Sequence, residues 1–103
     1  MQHIRKNAKE NVWIEAYDNH TAGTVTVASA TFEVFDADDA SVQASASATI
    51  ADNTTTTPDV YGLVDTSVAA FVSGSAYKVE FVVTIGSEVY REVVPIKCVE
   101  DRL

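Results

Sequence analysis

Nine consecutive residues, Val42–Ile50, alternate without a break: Val42, Ala44, Ala46, Ala48 and Ile50 on one parity, Gln43, Ser45, Ser47 and Thr49 on the other. A period of two gathers such apolar positions on one side of an extended strand, whereas on a helix they would scatter around the axis. Alanine favours helices, but here the pattern overrides the propensity. Tyr77, Val79, Phe81, Val83 and Ile85 repeat the pattern with larger side chains, with Lys78, Glu80 and Thr84 facing outward. Strands are also expected over Val12–Tyr17, Ala30–Phe35, Val60–Val64 and Glu88–Val99, with Thr24–Val27 a short strand or extended lead-in.

Turn signals separate these runs. Asp18-Asn19-His20 closes the first, Asp36-Ala37-Asp38-Asp39 the second, and the polar Asp52–Asp59 loop carries Pro58. Gly86-Ser87 makes a two-residue hairpin. Pro95 cannot donate a ladder hydrogen bond, which places the last strand at an edge or a bulge. Asp65-Thr66-Ser67 offers capping oxygens before Val68–Val72, and Gly74 offers a stop, so one or two helical turns are expected there with Val68 and Phe71 inward. Six or seven short strands without βαβ alternation predict an all-β antiparallel sandwich, with a closed barrel as the alternative. The expected core comprises Phe32, Val34, Ala46, Val79, Phe81 and Val83. Trp13 or Phe81 would fill the space left by the small alanines.

A chain of 103 residues fits one domain. Arg5, Lys6 and Lys9 crowd into residues 1–10, read as a basic N-terminal leader ahead of a single domain over residues 11–103. From Glu10 through Tyr77 there is no cation and there are ten acids; Lys78, Arg91, Lys97 and Arg102 follow, for a net charge of −8. So acidic a body repels phosphate backbones, which argues against nucleic-acid binding. No apolar run approaches the roughly 18 residues that cross a bilayer, and Met1–Asn7 lacks the apolar stretch of a signal peptide. Synthesis and retention in a cytoplasm is the expectation.

Residue types with chemical potential are few. His20, beside Asp18, lacks the nucleophile and orienting acid of a relay, and His3 lies in the leader. Cys98 shares strand parity with Ile96 and reads as a small core hydrophobe. Asp36, Asp38 and Asp39 resemble part of a calcium loop but lack the glycine and bidentate glutamate of an EF-hand, so an acidic solubilising turn is expected. No catalytic, cofactor-binding or metal-ligating residues are assigned, and the chain is expected not to be an enzyme. Tyr17, Phe35, Tyr61 and Tyr90 are positioned to form an outer aromatic platform for a protein or a sugar.

A basic segment precedes a strand ending in Tyr17-Asp18. Ser29-Ala30-Thr31-Phe32-Glu33-Val34-Phe35-Asp36 leads into an acidic turn, and Leu63-Val64-Asp65-Thr66-Ser67 precedes the short helical segment. Gly74-Ser75-Ala76-Tyr77-Lys78-Val79-Glu80-Phe81 then enters a final hairpin. From Arg5 to Val99 this order resembles the small immunoglobulin-like sandwich proteins encoded among the morphogenesis genes of tailed bacteriophages and prophages, and the N-terminal module of some baseplate proteins. The resemblance implies a structural or accessory virion protein, made in the host bacterial cytoplasm and acting through contacts with itself, as a homo-oligomer, or with other virion proteins. A carbohydrate-binding or adhesion-type sandwich is the alternative.

Overall fold

In the computed structural model, which describes residues 1–16, 26–51 and 58–100, two β-sheets face each other and no helix occurs among the described residues. The eight strands are β1 (Gln2–Arg5), β2 (Lys9–Glu15), β3 (Ser29–Asp36), β4 (Ser41–Ser47), β5 (Thr49–Ala51), β6 (Asp59–Asp65), β7 (Ala76–Ile85) and β8 (Glu88–Val99). One sheet has the order β1-β8-β7-β3-β4 and the other β2-β6-β5. Every pairing is antiparallel except that of β1 with β8, where Gln2–Arg5 run parallel to Ile96–Val99. The all-β, two-sheet reading therefore holds, with eight strands among the described residues where six or seven were expected, and one parallel pair. Thr24 and Val25 of the expected short strand lie outside the described residues.

The core lies between the sheets, where the apolar parities of the longest strands meet. Phe32 and Val34 from β3, Tyr77, Val79, Phe81 and Val83 from β7, Ile96 and Cys98 from β8, Val12 and Ile14 from β2, and Val60 and Val64 from β6 are all buried. Five of the six expected core residues are thus inside. Ala46 is exposed. It lies opposite Phe32 in the β3–β4 ladder, so its parity is the inner one. However, β4 is the outermost strand of a five-stranded sheet opposed by only three, and its inner side is mostly uncovered.

The single run expected over Val42–Ile50 is broken at Ala48, where the chain passes from one sheet to the other. Just before this crossing, the Gln43 side chain spans the gap between sheets. Its Nε2 donates to Leu63 O (3.1 Å) and its Oε1 accepts from Asp65 N (3.0 Å). β5 pairs only with Asp59–Tyr61, so this amide takes the place of a peptide group along the remainder of β6.

Residues 1–10, expected as a leader, instead supply β1 and the start of β2, and Ile4 is fully buried. The connection between them is fastened by Thr66, the one buried polar side chain among the described residues. Its Oγ1 accepts from Ala8 N (3.0 Å) and donates to Arg5 O (2.5 Å), while Thr66 N donates to Ala8 O (2.9 Å). Thr66→Val keeps the shape but leaves the part-buried Ala8 N–H and Arg5 C=O without this partner, so urea unfolding should show a loss of about 1 kcal/mol or more. Wild-type stability in the variant would mean that the hydroxyl's partners are met elsewhere.

The helical turn expected over Val68–Val72 is replaced by a loop with a single turn bond, Phe71 N to Val68 O (3.2 Å). Phe71 is buried as expected, but Val68 is exposed. Two long-range contacts draw the backbone away from a helical ladder. Lys6 Nζ donates to the carbonyls of Thr66 (2.9 Å) and Val68 (2.8 Å), and the Tyr77 hydroxyl accepts from Val72 N (2.6 Å) and donates to Ala70 O (3.0 Å). The Phe71 and Tyr77 rings meet beneath the loop, centroids 4.8 Å apart.

Candidate functional surfaces

Trp13 lies on the outside of the sandwich. On β2 the buried parity is Val12 and Ile14, which leaves Lys9, Asn11, Trp13 and Glu15 facing out. The placement of Trp13 over the β4 alanines is therefore incorrect, and the indole is 56% exposed. The polar neighbours two residues away on either side, Asn11 and Glu15, were the signal that its parity is the wet one.

Register sets the rows of this outer face. Trp13 lies beside Tyr61, and Tyr61 beside Thr49; Asn11 lies beside Leu63, Lys9 beside Asp65, and Glu15 beside Asp59. Asn11, Trp13, Asp59 and Tyr61 line a shallow depression of about 290 Å³. Leu63 is exposed one row away. Glu15 and Asp59 are directly opposed like charges, a destabilising arrangement in a bare sheet, and neither forms an ion pair among the described residues. Asp65 is committed to its own strand end, where it accepts from Ser67 Oγ (2.6 Å) and Ser67 N (3.0 Å). The Ser67 hydroxyl bond, then the backbone bond, hold its carboxyl below the ordinary value.

The outer face of the five-stranded sheet differs in chemistry. Val89 and Val93 are exposed there, with Arg91, Pro95 and Lys97 on the same parity of β8. Lys78 and Glu80 from β7, Glu33 and Phe35 from β3, and His3 and Arg5 from β1 complete the face. Arg91 pairs with Glu80 (2.6 Å), and Lys78 with Asp39 of the adjoining turn.

The other sequence candidates resolve into structural roles. Asp36 Oδ1 accepts from Asp38 N and Ala40 N (2.9 Å each), so this carboxylate is turned onto its own backbone. Asp38 is exposed, Asp39 meets Lys78, and no three potential metal ligands converge among the described residues. Cys98 is fully buried, and burial pushes its thiol up, away from a reactive thiolate. Tyr61 and Phe35 are half-buried on outer faces, while Tyr90 packs against the core. Tyr17 and His20 lie outside the described residues. Of the leader cations, Lys6 is bound to two backbone carbonyls and Arg5 lies 3.5 Å from Glu10. They serve contacts within the chain and are not held out as a free basic tail. Comparison with family models, with curated proteins and with solved structures finds no match to this chain.

Proposed function

We propose that the chain is a non-catalytic, immunoglobulin-like structural or accessory module of a tailed-phage or prophage virion, acting through protein contacts. The carrying observation is the exposed indole of Trp13 on a sheet face with Tyr61 and Leu63, since tryptophan and tyrosine are enriched among the residues that dominate protein interfaces. Two features support the immunoglobulin-like part. The order β2-β6-β5 against β8-β7-β3-β4 is that of strands B-E-D against G-F-C-C′ in such sandwiches, with β1 beside β8. Tyr77, at the start of β7 and two residues before buried Val79, binds upstream backbone through its hydroxyl in the manner of a tyrosine corner.

A second reading has an observation of its own. Asn11 and Asp59 beside Trp13 and Tyr61 would suit a sugar ring stacked on the indole with its hydroxyls bound at the rim. The test uses particles purified from the host that carries this coding sequence, with peptide mass spectrometry to find the chain and a Trp13→Ser copy in parallel. The virion reading predicts that wild-type protein travels with the particles and that the variant is depleted from them. Absence from particles, together with Trp13-dependent binding on a glycan array, would overturn it in favour of the sugar.

A further inference from the structure

We infer that the two outer faces of the sandwich bind each other between copies of this chain, so that the three-stranded face of one molecule packs on the five-stranded face of the next. This rests on the protein-contact reading above and names the partner as a second copy.

Charge is distributed unequally between the two faces. Outward positions of β2 and β6 hold Glu15, Asp59 and Asp65 against Lys9 alone. Outward positions of β1, β3, β7 and β8 hold Arg5, Lys78, Arg91 and Lys97 against Glu33 and Glu80. Counting the acids paired from outside the face, Asp39 with Lys78 and Glu10 with Arg5, this second face balances four cations with four acids, whereas the first holds three acids to one cation. Four of the seven cations of the chain thus lie on one face, and the acidic face lies on the opposite side of the sandwich.

The groups without partners are complementary too. Glu15 and Asp59 oppose each other, and among the described residues neither they nor Lys97 forms an ion pair. A cation from a neighbouring copy relieves the repulsion of Glu15 and Asp59 and finds the Trp13 face beside it, where a cation over an indole is attracted. Apolar groups match as well: Trp13 and Leu63 protrude from one face, Val89 and Val93 from the other, each about half exposed. Leaving these four to water in every copy is the cost that stacking removes.

Size sets the strength. Two strands of seven residues and one of three, about 4.8 Å apart and rising about 3.4 Å per residue, present roughly 280 Å² in projection. Specific interfaces cover roughly 800 Å² per partner, so a single contact is of the weak class, with a dissociation constant above about 1 μM. The contact is head-to-tail. It uses a different patch on each copy, so it repeats into an open stack or a ring rather than closing as a two-fold dimer.

Sedimentation of the full chain over a concentration series up to about 1 mM, roughly a thousandfold above that lower bound, tests this. Wild type should sediment as progressively larger species, less so at high salt, because exposed charges are screened. Trp13→Ser disables the aromatic face and Val93→Glu/Lys97→Glu the five-stranded face. Both alter exposed side chains, and circular dichroism checks that each variant folds. Each alone should be monomeric, association falling by roughly 30-fold or more, as for loss of an interface hot spot. Mixed together, the two variants retain one intact face each and should form a one-to-one dimer that grows no further. Wild type that stays monomeric throughout the series overturns the inference but leaves the particle test of the virion reading intact. Variants that still self-associate, or that fail to pair when mixed, overturn the head-to-tail contact.

Discussion

Phe81→Ala should remove about 3–5 kcal/mol of stability, read as a lower urea midpoint with an unchanged slope. Phe81 is fully buried on β7, which lies between β8 and β3 in the five-stranded sheet. Its neighbours in the ladder are Phe32 and Glu92, and its ring is tilted against that of Phe32 with centroids 6.3 Å apart. Truncation loses the transfer energy of the ring and leaves a cavity that two packed sheets cannot close. Domains of this size are stable by only 5–15 kcal/mol, so one such change brings the fold close to its limit. A loss below about 1 kcal/mol would mean that β7 presents its other parity to the core, since a register step of one inverts a strand.

Gly62→Ala should cost about 3 kcal/mol or more, the upper end for overpacking a core. Gly62 faces inward from the middle of β6, and a β-carbon built there would meet three ring atoms of Phe32 at 2.5–2.6 Å. The glycine is therefore a seat for the Phe32 ring, which crosses from the opposite sheet and lies against the β6 backbone. Phe32 is itself buried, and the face of an aromatic ring cannot swing aside as a flexible chain end can. The double variant Gly62→Ala/Phe32→Leu should be more stable than the two single losses added together, because the smaller side chain makes room for the new methyl. Strict additivity would show that the two residues do not touch.

How legible the fold was depends on what alternation can encode. Period two located β3, β7 and β8 and the Gly86 hairpin, and it placed Phe32, Val34, Val79, Phe81 and Val83 inside. These strands lie toward the middle of the larger sheet, where one parity is always covered. Alternation names a face but does not state whether anything lies over it, and Ala46 on the overhanging β4 is exposed for that reason. Nor does it mark a change of sheet within a continuous run, as at Ala48. β1 has a single apolar anchor, Ile4, in a four-residue strand, too short a stretch for any period to register. Lys6 and Tyr77 reshape the Val68–Val72 loop from distant positions in sequence, so a local capping signal was overridden by tertiary hydrogen bonds.

The surfaces were less legible than the core. Tyr61 was expected on an outer face, but the indole that dominates that face was assigned inward on size and hydrophobicity alone. The complementary charge of the two faces arises only once β1, β7 and β8 come together in one sheet. In sequence the same cations appear as two separate clusters, residues 5–9 and 78–102.

Trp13 is the only tryptophan of the chain, so its fluorescence reports directly on the claim that this molecule works through an exposed aromatic face. Acrylamide quenching should be followed in dilute solution and again as the protein is concentrated. A dilute sample should show the red-shifted emission and ready quenching of a solvated indole, turning bluer and better protected as copies stack. An indole already blue-emitting and shielded from quencher at the lowest concentration would contradict the account, because Trp13 would then lie inside the sandwich.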